Sequence, residues 1–358
     1  MTFIYFQHQK IQVEEVLNAA KKNENILNLD EDIFSFLKEW QDENEKIKLQ
    51  SSGTTGKPKI FFKKKNQLRS SAKATIQYFN LKENDTFLIC LSAKYIAGKM
   101  MWVRALEAKA NIILMSNNRN TLEDYDDFYP NCDFAAMIPL QVYHSLENEN
   151  CREKLNKIKK IIIGGGDINR KYIPQLLQEK TQFFHTYGMT ETLSHIAIKN
   201  IDGNFQNNYF QVLKGVKIEK DERFCLTVYA PKIHNEKLFT NDLVNIIDEK
   251  QFEWMGRYDN IINSGGLKLL PEQIEKQLEK IIEENFFIGA ESDEILENKV
   301  VLFIESDEGS ETISNKYLTL IQSHLSKFEV PKKIITLPSF IYTETGKIKK
   351  NETQQSAT

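Results

Sequence analysis

Four short stretches of this chain gather residue types that handle phosphate. The first is Ser51-Ser52-Gly53-Thr54-Thr55-Gly56-Lys57-Pro58-Lys59. Its glycines let backbone N–H groups approach an anion, and its hydroxyls and lysines add donors. It is not a Walker loop, which needs four residues between the first Gly and the Gly-Lys pair, then Ser or Thr. Here only Thr54 and Thr55 separate Gly53 from Gly56-Lys57, and Pro58 follows. The second stretch, Tyr187-Gly188-Met189-Thr190-Glu191, closes a strand-like run. A carboxylate at a strand end can hold Mg²⁺ against phosphates, and Thr190 can bond a phosphate oxygen. The third runs from Gly256 through Arg257, Asp259, Gly265 and Gly266 to Lys268. Arg257 could bond ribose or phosphate, and Asp259 could act as a pivot. The fourth is Thr343-Glu344-Thr345-Gly346-Lys347, which ends on a cation. Taken singly, each has a plain alternative: a surface turn, a strand–helix junction, a glycine-rich hairpin, a solvated lysine.

Elements that could position these residues follow from periodicity. Asn66 can cap a helix with Leu68, Ala72, Ile76 and Phe79 on one face. Strand-like runs fall at 86–92, 111–116, 134–139, 160–165 and 181–188, and helical patterns lie around 98–109 and from Ile173 to Gln178. Strands alternating with helices predict a mostly parallel sheet covered by helices. From about residue 195 the runs HIAIKNI, FCLTVYA, LVNII and FEWMG read as consecutive strands with short turns, hence a β-rich subdomain. After Arg257 come a helix from Pro271 to Glu284, strands at 300–306 and 333–340, and a helix around 316–325. Residues 1–50 read as irregular and helical. The expectation is an α/β chain: a large domain over 1–257, holding the mostly parallel sheet and the β-rich subdomain, and a small mobile α+β domain over 258–358.

Bulk properties narrow the class. The 358 residues suit two domains, and 41% hydrophobic with 27% charged residues is ordinary for a globular protein. A net charge of −3 gives no global basic field for nucleic acid or an anionic membrane. The amino terminus, MTFIYFQHQK, lacks the basic and apolar regions of a signal peptide, and no apolar run approaches the ~18 residues of a membrane span. Cys90, Cys132, Cys151 and Cys225 are scattered without CxxC spacing, which predicts neither a metal site nor a disulfide framework and fits a cytoplasmic protein.

In this order, the four stretches resemble the signatures of the adenylate-forming superfamily of acyl-CoA synthetases, luciferases and peptide-synthetase adenylation domains. The resemblance covers about residues 49 to 350. S-G-T-T-G-x-P-K is matched from Ser52 to Lys59, Y-G-x-T-E from Tyr187 to Glu191, G-R-x-D-x-I with following glycines from Gly256 to Gly266, and T-x-x-G-K from Thr343 to Lys347. The resemblance implies two half-reactions. A carboxylic acid and ATP first give acyl-AMP and pyrophosphate, and coenzyme A then takes the acyl group.

It also implies roles. Ser52, Gly53, Thr54, Thr55, Gly56 and Lys59 would cradle the β- and γ-phosphates. Gly164, Gly165, Gly166, Tyr187 and Gly188 would line the adenine pocket. Thr190 would meet the α-phosphate and Glu191 the Mg²⁺. Asp242, helped by Arg257, would bond the ribose. Lys347 would serve the first half-reaction. Asp259 would be the hinge, and Gly266 and Lys268 would face the acyl-AMP in the second. Three departures stand out. Ile60 replaces a common Gly, Asn241 stands in Thr240-Asn241-Asp242 where T-G-D is usual, and the stretch before the loop is short.

Within the superfamily, Leu91 to Leu106, LSAKYIAGKMMWVRAL, resembles the acid-pocket motif of the o-succinylbenzoate–CoA ligases of menaquinone synthesis, through Gly98, Trp102 and Arg104. HTYGMTETLSHIA resembles their adenine motif, whereas Ser92-Ala93-Lys94-Tyr95 replaces Pro-Leu-aromatic-His. Such a substrate carries a second carboxylate that needs a cation in an enclosed pocket. Lys99 is the first choice for that cation, with Lys94, Arg104 and His195 behind it. Lys99 and Arg104 are five positions apart on a predicted helix and so point in different directions. Alternatives are another aryl- or acyl-CoA ligase, an enzyme acylating a carrier protein, and an inactive binding homologue. A homo-oligomer is left open.

Overall fold

The structure, a computed structural model, describes residues 1–50, 60–203, 209–343 and 347–357. The chain forms two compact units. The first comprises Met1–Ile168, Tyr172–Lys217 and Val228–Leu238, and the second Asn169–Lys171, Ile218–Thr227 and Phe239–Thr358. The boundary expected at 257/258 lies within the second unit.

In the first unit, strands β1 (Phe3–Phe6), β2 (Gln9–Gln12), β5 (Thr86–Ile89), β6 (Asn111–Leu114), β7 (Cys132–Met137), β8 (Ile158–Ile163), β9 (Gln182–Gly188), β10 (His195–Asn200) and β11 (Phe210–Val212) make one sheet. Their order is β11-β10-β9-β8-β7-β5-β6-β1-β2. From β9 to β1 every recorded neighbour is parallel, and β10 turns back antiparallel on β9. Strand β5 is buried at all four positions and β8 ends on three buried isoleucines. Such runs are what a parallel strand covered on both faces requires. A separate antiparallel pair joins β3 (Lys46–Gln50) to β4 (Ile60–Lys64).

Helices α1 (Val13–Lys21) and α2 (Glu31–Gln41) precede β3, and α3 (Lys65–Phe79) and α4 (Ile96–Ala108) pack together around β5. The buried face of α3 holds Leu68, Ala72 and Phe79 as expected, and also Ser71 and Thr75. The helix begins before the expected cap: Asn66 is its second residue, and Lys64 stands at the N-cap. The strand pair β1–β2 went unread in the sequence. Four residues give too few alternations to register, and β1 is defined by pairing with β6 more than a hundred positions away. Helices α5 (Pro139–Glu147), α6 (Glu149–Leu155) and α7 (Ile173–Leu176) complete the unit.

The second unit takes in most of β12 (Lys217–Lys220) and β13 (Cys225–Tyr229), then β14 (Leu238–Asp248) and β15 (Gln251–Arg257), the last two an antiparallel pair. The remainder is α+β. Strands β16 (Ile262–Ser264), β17 (Leu267–Leu269), β18 (Phe286–Asp293) and β19 (Glu297–Glu305) run in the order β17-β16-β19-β18, and β20 (Lys333–Leu337) lies parallel to β19. Helices α8 (Pro271–Leu278) and α9 (Ser310–His324) bury Ile274, Leu278, Ile313 and Ile321 against Leu302 and Ile304. A last helix, α10 (Lys350–Ser356), follows. No helix among the described residues is long and apolar enough to cross a membrane.

Candidate active site

In the first unit the carboxyl ends of β8 and β9 carry the expected nucleotide residues. This is where open α/β sheets bind ligands. Gly164 follows β8 and donates its N–H to the Met137 carbonyl at 3.2 Å. Gly165 and Gly166 follow, and the Gly166 carbonyl lies 3.2 Å from His185 Nε2. Burial pushes the His185 imidazole down to about 4. Tyr187 is half-buried, with its ring centroid 5.7 Å from that of Phe210.

Gly188 turns the chain into a tight return to β10. A Cβ there would meet the Ser194 carbonyl at 2.4 Å and His195 Cα at 2.5 Å, so only glycine fits. The turn that follows is tied internally. Met189 donates its N–H to Thr192 Oγ1 at 3.0 Å, and the Thr192 hydroxyl donates to the Ser194 carbonyl at 2.7 Å. Thr190 is half-buried and Glu191 exposed on this turn. Lys63 donates from Nζ to the Glu191 carbonyl at 3.2 Å; desolvation lowers the Lys63 pKa and the Glu191 carboxylate opposes that shift.

Below this turn lies a buried polar cluster. Arg104, on α4, is 2% exposed. Its Nε donates to Thr75 Oγ1 at 3.2 Å, one terminal nitrogen donates to Ser194 Oγ, and the other lies 3.5 Å from Met101 Sδ. Thr75 Oγ1 is 3.0 Å from His195 Nε2, and Ser194 Oγ is 3.4 Å from His195 Nδ1. Among the described residues, the hydrogen-bond partners of Arg104 are all neutral. Burial alone pushes its pKa down to about 9, and burial with the Arg104 charge holds His195 well below the usual imidazole value. His195 also borders a cavity of about 30 Å³ with Ser71, Ala74, Leu213 and Lys232.

Lys99 and Lys94 belong to a different surrounding. Lys99 is buried, its ammonium 4.8 Å from the Phe36 ring centroid. Burial lowers its pKa, while the Glu39 and Asp32 carboxylates of α2 counter that shift. Lys94 is exposed and its N–H donates to Asp32 Oδ2 at 3.0 Å. The five-residue spacing therefore separates Lys99 and Arg104, and α4 delivers Arg104, not Lys99, to His195. Sequence reasoning missed Thr75 and Ser194. Thr75 carried no signal, because it lies on the buried face of an ordinary amphipathic helix.

The second unit carries the remaining expected residues. Asp242 on β14 faces Arg257 on β15, with Arg257 Nη1 donating to Asp242 Oδ1 at 3.5 Å and Nη2 to Asp259 Oδ2 at 3.0 Å. Trp254 Nε1 donates to Asp242 Oδ1 at 3.1 Å. Lys347 is exposed in an isolated bridge region and donates its N–H to Thr343 Oγ1 at 3.0 Å. Although part of the Lys347 side chain stays in solvent, the protein packed around it lowers its pKa by desolvation, joined by the positive charges of Arg257 and Lys350; Asp242 and Glu272 act the other way. So this unit brings Lys347, Arg257 and Asp242 within electrostatic reach of one another. Lys268 is exposed on β17, next to a turn in which Gly265 and Gly266 take φ of +57° and +79°. Ser52, Gly53, Thr54, Thr55, Gly56 and Lys59 lie outside the described residues, as does Gly346.

Mg²⁺ keeps several waters and takes one or two carboxylates beside substrate phosphates. A single exposed carboxylate, Glu191, suits that role, and no cluster of three or more His, Cys, Asp or Glu side chains able to hold a metal exists among the described residues.

A mostly parallel sheet with a Y-G-M-T-E turn at its strand ends is the architecture of a nucleotide-using enzyme. The chain belongs to the AMP-binding enzyme family, whose profile matches residues 7–218. An AMP-forming acyl-CoA synthetase/AMP-acid ligase II-like protein from Dyadobacter fermentans is 32% identical, with 95% of this chain and 98% of that one covered and a TM-score of 0.63. The 2-succinylbenzoate–CoA ligase of Staphylococcus epidermidis is 24% identical over 330 residues, covering 84% of this chain and 68% of the relative. The O-succinylbenzoate coenzyme A synthetase of Bacillus subtilis, solved with ATP and magnesium ion, superposes with a TM-score of 0.70 at 20% identity, covering 86% of this chain and 69% of that one. The chain thus spans about two thirds of these ligases.

Proposed function

We propose that this protein is an AMP-forming acid–thiol ligase that activates an aromatic dicarboxylic acid of the o-succinylbenzoate type and transfers it to coenzyme A. The observation that carries the substrate class is Arg104. A guanidinium taken fully out of water costs several kcal/mol unless an anion answers it, and its recorded partners here are two hydroxyls and a thioether. A substrate carboxylate is such an anion. Similarity to 2-succinylbenzoate–CoA ligases over most of the chain supports the same reading. This moves the second-carboxylate role from Lys99 to Arg104, with His195 and Ser194 beside it.

In the first half-reaction a carboxylate oxygen of the acid attacks the α-phosphorus of ATP. The bond from that phosphorus to the bridging oxygen breaks, and pyrophosphate leaves with the electron pair. In the second, the thiol of coenzyme A loses its proton, sulfur attacks the acyl carbon, and the carbon–oxygen bond to AMP breaks. Asp242 bonds the ribose, Arg257 orients Asp242, Thr190 meets the α-phosphate, and Lys347 donates to the charge gathering on its oxygens. Removing one such donor typically lowers the rate by ~10²–10³. The loop from Ser52 to Lys59 cradles the outgoing phosphates. Glu191 would hold Mg²⁺, which when bound would supply charge neutralisation for the phosphates. Asp259 is the pivot between the two half-reactions, with Gly266 and Lys268 serving the second.

The test is ATP–pyrophosphate exchange across a panel of carboxylic acids, followed by thioester formation with free coenzyme A. Exchange with o-succinylbenzoate well above monocarboxylates is expected. Exchange confined to monocarboxylates would overturn the substrate class. Exchange without thioester formation would point to a carrier protein as acceptor.

A further inference from the structure

The β14–β15 ladder is irregular where it matters. Asp242 pairs with Arg257 and Leu243 with Gly256, but Val244 pairs with Trp254, skipping Met255. In a regular ladder Val244 would oppose residue 255, and Trp254 would lie opposite residue 245, on the other face of the sheet. The extra residue flips Trp254 onto the face that carries Asp242 and Val244, because side chains alternate with period two. Trp254 then sits diagonal to Asp242, within reach of an aromatic side chain. Its indole N–H donates to Asp242 Oδ1 at 3.1 Å, closer than the 3.5 Å of Arg257 Nη1 to the same oxygen. The indole offers one donor and no acceptor, so this contact has a single sense.

We propose that Trp254 is a positioning residue for the nucleotide: the bulge at residue 255 aims its indole N–H at Asp242, which fixes the carboxylate in the rotamer that receives the ribose hydroxyls. The proposal rests on the reading of Asp242 as the ribose ligand. A bulge spends a ladder position on re-aiming one side chain, and here that side chain is the one gripping the site carboxylate. The held oxygen cannot rotate away when ATP departs, so the carboxylate is already oriented when the next nucleotide arrives. A bond from a neutral donor to a charged acceptor is worth about a tenfold change in equilibrium constant or more.

Trp254→Phe keeps the ring and deletes the donor. It should raise KM for ATP about tenfold while kcat changes little. With 2′,3′-dideoxy-ATP, which lacks the diol, wild type and variant should show the same KM. In an Asp242→Ala background the substitution should add nothing. If Asp242→Ala itself leaves KM for ATP unchanged, the ribose reading falls and the proposal with it. If Asp242→Ala raises KM but Trp254→Phe does not, or raises it equally for the dideoxy nucleotide, only the proposal falls. Should the Phe variant not fold, the wild type decides by NMR. One of its three indole N–H resonances should shift on titration with AMP and not with 2′,3′-dideoxy-AMP, and three resonances indifferent to the diol would overturn the assignment.

Discussion

Asn241 donates its side-chain amide to both carboxylate oxygens of Asp259, each at 3.1 Å. The Asn241 side-chain oxygen in turn accepts from Arg223 Nη1 at 2.8 Å. Asn241 occupies the position where the superfamily resemblance leads one to expect glycine, so a departure from the pattern grips the residue expected to be the pivot. Asn241→Gly removes both bonds to a charged group, worth a factor of roughly 10–100 in local opening. Hydrogen exchange of the amides from Tyr258 to Ile261 should accelerate by that factor, with little change in the core strand β19. Unchanged exchange at these amides would show that Arg257 alone holds Asp259.

Lys347→Ala should lose ATP–pyrophosphate exchange by roughly 10²–10³ and still convert synthetic acyl-AMP to the thioester. The pH dependence adds a second check. Lys347 donates only when protonated, and its pKa is lowered, by desolvation first and then by Arg257 and Lys350. The exchange rate should therefore fall as pH rises through a value below that of an ordinary lysine. The thioester step should lack this limb. A folded variant that loses both half-reactions equally would contradict the split.

Glu272 gives a related prediction. Its Oε1 accepts from Asn260 at 2.5 Å, while Oε2 is buried without a hydrogen-bond partner among the described residues. A Cβ on Gly256 would come within 2.6 Å of that oxygen, so a side chain there would displace the Glu272 carboxylate. The Glu272 charge raises the Lys347 pKa. Glu272→Gln should move the alkaline limb of the exchange profile to lower pH and leave the thioester step alone. An unmoved limb would separate Glu272 from Lys347.

Arg104→Met should raise KM for o-succinylbenzoate by about 10² or more and barely affect a monocarboxylate lacking the ring carboxyl, since it removes a buried cation aimed at one group. Lys99→Met should change both acids alike, because Lys99 faces Phe36 and the carboxylates of α2. A selective loss in the Lys99 variant would restore it as the anion's partner.

Acid should destabilise the first unit through two histidines. His185 has a folded pKa of about 4, and that of His195 lies well below the ordinary value, with burial the main cause for both. The unfolded imidazole takes a proton near pH 6.5. Stability is thus fully present above about pH 6.5 and is lost as pH falls through the lowered folded values of both imidazoles. Urea midpoints measured at pH 7.5 and pH 5 should differ accordingly, and His185→Phe should reduce the difference. Equal wild-type midpoints would contradict the assignment.

The sequence by itself made most of the long elements and the class of chemistry legible, but not the strand pairs β1–β2 and β3–β4. The apolar centres of KIIIGG and TFLICLS are legible as strands, because a parallel strand covered on both faces needs continuous apolar residues, although the strands themselves end at Ile163 and Ile89. The four stretches proposed to meet phosphate were legible because each concentrates its residue types within a few positions. Tertiary structure decided which side chains meet. Thr75, Arg104 and His195 come from two helices and a strand far apart in the chain, and nothing local marks Thr75 as a partner of His195. Lys99 and Arg104 share a helix and a charge, yet the turn of that helix sends one toward α2 and the other into the buried cluster. The grip of Trp254 on Asp242 depends on one extra residue in a ladder. Register is a property of two strands at once, so no reading of either strand alone contains it.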